Sequence, residues 1–277
     1  MQPRPTPAWS PPAPTSRRRR LRPFDLVFAA LAGLLVLVVI LPLAAILLGT
    51  SPGSFFLAFG DSEVVRAIGL TFTAGALATG VGALTGVPLA YLLARRRFRG
   101  RSLLEAVIDL PLVIPHTAAG IALLLVFGRR GLLGSAMEPL GVTFTDTIAG
   151  TVVAMLFVSL PFLVNMSLTA FAAIDPELEQ AAFTDGAGSW QVFRSVALPL
   201  ARRGVFSGML MMWARGISEF GAVVIIAYHP KIAPVLVYER FEGFGLDAAL
   251  PVAAILVVAA LAVFTLLRLI VLPERGR

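Results

Sequence analysis

The chain has 277 residues, of which 57% are hydrophobic and 14% charged, with a net charge of +7. Soluble domains carry about 25% charged residues, so the solvent for most of this chain is lipid. Cysteine is absent, which excludes disulfides, thiolate zinc sites and cysteine nucleophiles. The single lysine lies in Tyr228-His229-Pro230-Lys231-Ile232, away from any Gly-x-x-x-x-Gly-Lys-Ser/Thr loop, so no P-loop ATPase site is expected in this chain. The basic residues flank apolar runs, a pattern that sets membrane orientation, and nucleic acid is not an expected partner.

Residues 1–22 open with a stretch rich in Pro, Ser and Thr and continue into Arg17, Arg18, Arg19, Arg20 and Arg22. They are expected to form a disordered basic tail, ahead of one transmembrane domain over residues 23–277. The first apolar run, Phe24 to Leu48, spans about 25 residues, whereas a signal-peptide core spans about 7 to 15. It reads as an uncleaved membrane helix. Five further spans are expected: Arg66 to Ala94; Leu103 to Phe127, broken near Pro111 and Pro115; Thr147 to Phe171, with Pro161 inside; Gly204 to Tyr228; and Leu246 to Leu272. The expected fold class is all-α, a polytopic membrane protein of six helices without an internal repeat. Gly80, Gly82 and Gly86 on the second span fit close helix packing.

The connecting segments alternate in charge. Asp61, Glu63 and Arg66 follow the first span, and Arg95, Arg96, Arg97, Arg99 and Arg101 follow the second. Glu239, Arg240, Glu242 and Asp247 follow the fifth, in a segment read as a loop. The excess of positive charge puts both termini, the 95–101 segment and residues 174–203 in the cytoplasm. The chain is thus expected to be a multi-pass protein of the cell's inner membrane, in contact with its lipid.

Residues 174–200 form a polar, helix-prone island between two apolar spans. Asp175 is a natural N-cap, Pro176 a natural first helical residue, and Glu177 and Glu179 suit the first turn of a helix. Gly186 and Gly188 end that helix and let the chain turn. Ser189 is placed to cap a second helix carrying Trp190, Phe193, Val196 and Leu198, which Pro199 would close. The bland reading is an amphipathic connector lying on lipid headgroups.

From Gln180 the chain reads Ala181-Ala182, three residues, Gly186, nine residues, Val196, one residue, then Leu198-Pro199. This resembles the EAA loop of permease subunits in binding-protein-dependent ABC importers. In that family the loop is a coupling helix that docks on the ATPase subunit. The resemblance implies a type I importer permease fold and assigns ATPase coupling to Glu179, Gln180, Ala181, Ala182, Gly186, Val196, Leu198 and Pro199. The family's Glu before Ala-Ala is Gln180 here, with Glu179 one residue earlier. It also implies a homodimer, an ATP-binding subunit that carries ATP and Mg so that this chain binds no cofactor, and an extracytoplasmic oxyanion-binding protein. Three further stretches, Asp109 to Gly134, Ala214 to Val223 and Tyr238 to Leu246, resemble the oxyanion branch. Ser218 and the loop from Ile225 to Pro234 look most like tungstate/molybdate permeases of the archaeal type, with sulfate or thiosulfate as the alternative.

Arg215 and Glu219 are one turn apart on the fifth span, and Arg215 lies about 16 Å along it from Gly204. Intramembrane charges usually face a bundle interior. Two readings stand side by side. Arg215 pairs structurally with Glu219, or with Asp109; or Arg215 attracts a dianion along a path lined by Asp109, Thr117, Ser218 and Glu219. His116 and His229 have no second ligand at metal-binding spacing and read as structural. An intramembrane protease would need a Gly-x-Ser-Gly with a paired His, or two membrane Asp where only Asp109 qualifies. A secondary transporter would commonly show internal repeats and has no use for a docking lever.

Overall fold

The computed structural model describes residues 23–271. The tail expected over 1–22 and residues 272–277 lie outside the described residues. The described chain is helical, with no strand among the described residues. It divides between Ala45 and Ile46 into two units. Most of α1, Pro23–Gly49, belongs to the first unit and is apolar on every side, as a helix immersed in lipid should be.

The second unit contains α2 (Pro52–Gly60), α3 (Ser62–Arg95) and α4 (Arg101–Asp109). A 3-10 turn at Leu110–Leu112 leads to α5 (His116–Phe127). The short α6 (Gly134–Met137) precedes α7 (Ile148–Ala172). Then come α8 (Pro176–Thr184), α9 (Ser189–Val192), a π turn at Phe193–Ala197, and α10 (Leu198–Ile217). The chain closes with α11 (Gly221–Ile226), α12 (Ala233–Phe244) and α13 (Leu246–Val271).

Four helices, α1, α3, α7 and α13, are long and apolar enough to cross a membrane. The pair α4–α5 makes a fifth if counted as one broken span; it bends by 113° around the expected Pro111–Pro115 break. The expected bounds of the fifth span, Gly204 to Tyr228, are corrected. The helix instead runs through Leu198–Ile217 and stops, because the Glu219 carboxylate takes the Ala222 N–H at 2.9 Å and starts α11. Every 18-residue window of α10 also contains Arg202, Arg203 and Arg215, so length and composition alone do not mark it as a span.

Within lipid, apolar burial does not drive helix association, and close packing at small residues does. The α3, α7 and α10 helices illustrate this. A Cβ on Gly86 would lie 3.3 Å from Leu160 and Val164, one on Gly208 would lie 3.1 Å from the Leu163 carbonyl, and one on Gly82 would overlap Met212. Gly80 departs from expectation: it has open space around it, because it faces away from both partners. Residues Leu93, Phe171 and Met212, each 1% exposed or less, fill the three-helix seam. The α5 helix is seated on α11 and α7 through Ala119, Leu123, Ala222 and Met155.

The segment read as a loop after the fifth span is the helix α12. Val235 and Leu236 are buried, Leu236 packs with Val64, Val252 and Ile255, and the Thr71 hydroxyl accepts the Ala233 N–H at 2.8 Å near its start. Its charged residues hid this half-buried helix from a hydropathy reading.

Candidate functional site

The polar island folds as two short helices with a glycine elbow, as the sequence suggests. The Asp175 carboxylate accepts the Glu177 N–H at 3.0 Å at the start of α8. At its end the Ala187 N–H reaches the Ala182 carbonyl at 3.0 Å, with Gly186 at φ +88°. Two details differ from expectation. Gly188, not Ser189, caps α9, its N–H donating to the Gln191 side-chain carbonyl at 2.8 Å. Nor does Pro199 close the second helix: the chain stays helical from Ser189 to Ile217. Proline lacks the N–H that an α-helix would need. The π turn before it, with the Leu198 N–H bonded to the Phe193 carbonyl, lets the helix run through.

Glu179 is 5% exposed and turned inward. Its Oε1 accepts the Arg95 Nη2–H at 2.7 Å and the Arg95 Nε–H at 2.9 Å, while Oε2 accepts the Tyr91 hydroxyl at 3.0 Å. Tyr91 and Arg95 are one turn apart on α3, so both face this carboxylate. The Tyr91 ring packs against Phe171 of α7 at 5.3 Å and against Phe193 of the π turn at 5.0 Å. Successive helical residues differ by about 100° in direction. With Glu179 inward, Gln180, Ala181 and Gly186 are exposed, Ala182, Val196 and Leu198 half-buried, and Pro199 exposed. The outer face also shows Leu178, Phe183 and Trp190, the last 67% exposed. A cavity of ≈ 470 Å³ lies in the elbow between Ala182, Gly186, Gln191 and Val196.

The second cluster lies where two helix breaks meet. Arg215 occupies the last turn of α10 rather than mid-helix, where the helix dipole favours a cation. Its Nη2 donates to Glu219 Oε2 at 3.0 Å, so the expected i,i+4 pair forms. The Glu219 side chain is 1% exposed and its other oxygen holds the Ala222 N–H. His116, at the start of α5, stands 2.7 Å from Arg215 Nη2 and 3.6 Å from Glu219. The two breaks touch: a Cβ on Gly221 would lie 2.8 Å from that of His116. Arg215 Nη1 donates to the exposed Ser218 hydroxyl at 3.3 Å, and Thr117 is exposed beside His116. Ser218 also borders an apolar cavity of ≈ 370 Å³ with Trp213, Ile217, Leu256 and Phe264. Asp109 is not a partner of Arg215; it accepts the Asn165 amide at 2.7 Å.

Sequence reading missed Tyr91, Arg95, Asn165 and the role of His116. Arg95 was hidden in an arginine run read only for topology, although Tyr91 one turn earlier was a signal. A third cluster joins α12 to the start of α3. Arg240 donates to Asp61 at 2.6 Å, and Lys231 to Glu239 at 2.6 Å and to Glu63 at 3.3 Å. The Arg240 hydrogen bond holds the Asp61 carboxyl below its ordinary range, and the Lys231 hydrogen bond does the same for Glu239. Glu239 in turn raises Lys231 and Tyr228.

This bundle, with its bent pair and its helical pair on a stiff extension of α10, is the fold of type I ABC importer permeases. The solved structure of a bacterial ABC transporter involved in the import of the acidic polysaccharide alginate superposes with a TM-score of 0.71 at 17% identity, covering 91% of this chain and 96% of that one. Residues 86–273 match the binding-protein-dependent transport system inner membrane components, and the chain belongs to that family. It is 42% identical to the molybdate/tungstate transport system permease protein WtpB of Thermococcus kodakarensis, over 88% of this chain and 95% of that protein. The sulfate transport system permease protein CysW of a Synechocystis species is 33% identical over 87% of this chain and 89% of its own length.

Proposed function

We propose that this chain is the membrane subunit of an ATP-driven importer of molybdate or tungstate, working as a homodimer. The likeness to the molybdate/tungstate permeases along nearly the whole chain carries the substrate class, and the lower identity to the sulfate permease favours it over sulfate. In this reading the chain hydrolyses no ATP, since its one lysine lies outside any phosphate-binding loop. A partner ATPase, which binds the ATP and Mg, docks on the exposed face of α8–α9 at Gln180, Ala181 and Gly186. An extracytoplasmic protein delivers the oxyanion, and both termini are cytoplasmic.

The continuous helix from Ser189 to Ile217 supports a mechanical link. Leu198 and Arg215 are separated by about 26 Å of helix at 1.5 Å per residue. Movement passed through the elbow to α9 therefore reaches the Arg215 cluster along one continuous helix. There Arg215, Ser218 and Thr117 offer donors to a tetrahedral dianion, His116 accepts from Arg215 and steadies it, and the buried Glu219 keeps Arg215 from holding the dianion tightly. A path must bind weakly enough to release.

The test is ATP-dependent uptake into proteoliposomes holding the permease, its ATPase and its binding protein. Molybdate or tungstate should accumulate, with sulfate a poor competitor. Preferential sulfate accumulation would overturn the substrate assignment, and ATP-independent uptake would overturn the class.

A further inference from the structure

We infer that Glu179, Arg95 and Tyr91 form an internal latch that makes the docking helix and α3 move as one body, so that Glu179 serves transmission within the permease rather than contact with the ATPase. The inference rests on the functional reading above and concerns how the pushed segment is held.

The carboxylate of Glu179 is buried and both of its oxygens are occupied by α3: one by two nitrogens of Arg95, the other by the Tyr91 hydroxyl. A buried carboxylate needs such a counter-charge. The pair bridges 84 residues of sequence and the arginine is 15% exposed, so it is neither a local helix pair nor a solvated one. Arg95 also reaches the Ile174 carbonyl in the turn between α7 and α8, at 3.5 Å. The neighbouring Arg96, Arg97 and Arg99 are exposed, so one arginine of the run is set apart from those left to the membrane surface. The second attachment is through Phe193, whose ring meets Tyr91 and lies in the π turn that leads into α10. The docking segment is therefore fixed at both of its helices, α8 to α3 by an ion pair and α9 to α10 by continuous helix. Both attachments meet at Tyr91.

Without the latch, α8 stays joined to α10 and keeps its outer face, but α3 no longer follows it. The positioning residues then show themselves in the coupling ratio, which a plain docking residue would not move. In the assembled transporter, Glu179→Gln should still co-purify with the ATPase subunit and hydrolyse ATP, while uptake per ATP hydrolysed falls by about tenfold, the size of a typical coupling free energy. Tyr91→Phe, which removes one hydrogen bond at nearly constant volume, should lower the same ratio by less. A Glu179→Arg, Arg95→Glu exchange should recover part of it.

Parallel loss of ATPase binding, hydrolysis and uptake in Glu179→Gln would make Glu179 a docking residue and overturn the inference. A wild-type ratio in Tyr91→Phe would overturn it even where Glu179→Gln is not recovered from the membrane. A wild-type chain that recruits no ATPase would overturn the functional reading itself. A wild-type complex that transports, beside a fully coupled Glu179→Gln, overturns the latch alone.

Discussion

Two arginine–glutamate pairs sit near the two ends of α10, and they are built in opposite ways. At the cytoplasm-proposed end the carboxylate of Glu179 is closed: two residues of another helix take both oxygens, and the side chains of Glu179 and Arg95 are 7% and 15% exposed. At the far end Glu219 is buried to 1%, yet its partner Arg215 is 23% exposed and shares its donors with Ser218 and a half-exposed His116. The first pair joins elements distant in sequence and has no spare capacity. The second is local, and its cation is part-exposed and divided between Glu219, Ser218 and His116. A closed pair suits a joint that transmits force, and an open one suits a group that must change partners.

The largest effect should come from Arg215→Ala. It strands a buried carboxylate, which costs about 3–5 kcal/mol, so both thermal stability in detergent and uptake should collapse. Collapse alone does not separate a structural pair from a path residue. Arg215→Met combined with Glu219→Gln removes both charges, and Gln keeps an acceptor for the Ala222 N–H. Stability should then recover while uptake stays low. Recovery of both would leave the pair with a structural role only and would break the contrast between the two ends.

Next in size is Gly186→Asp at the elbow. A Cβ there meets no neighbour, and the positive φ costs a non-glycine residue about 1–2 kcal/mol, less for Asp, which tolerates it best. Membrane insertion and the bundle should survive, while a new charge enters the elbow cavity and co-purification of the ATPase falls sharply. Retained assembly and uptake would remove the elbow from the docking face. His116→Leu should be milder. It deletes one contact to Arg215, worth about 0.5–1.5 kcal/mol net, and should slow uptake a few-fold with little change in stability.

The bundle was legible where periodic apolar runs dominate: α3, α7 and α13 fall within a few residues of their expected ends. The Pro111–Pro115 break was legible too, because proline removes backbone donors at a fixed place. What escaped was decided by side chains reaching across helices. Nothing local in Gly204 to Tyr228 says that Glu219 will cap a new helix and stop α10. Pro199 looked like a terminator because a π turn leaves no compositional trace. Gln180 drew attention as the departure from the loop's pattern, while the informative carboxylate was Glu179, whose partners lie in another helix.

The smallest effect belongs to the half-buried network on α12, which calibrates the other two pairs. Asp61 and Glu239 are held below their ordinary values by Arg240 and Lys231. A depressed folded-state value means that the unfolded chain binds more protons in acid. Their contribution is therefore complete above about pH 4 and is lost as pH falls through the folded-state values. Lys231 is raised, so its share is complete below about pH 10.4 and is lost as pH climbs through its folded-state value. The carboxylates of these pairs are 36% to 48% exposed, unlike those of Glu179 and Glu219, and solvent screening limits each pair to about 0.2–1 kcal/mol. Thermal unfolding in detergent should show a plateau across neutral pH, and Arg240→Gln should lower it only slightly and flatten the acid limb. Salt should shrink that difference by screening and leave the deficit of Arg215→Ala nearly unchanged. If Arg240→Gln instead destabilised as much as Arg215→Ala, burial would not be what separates these pairs.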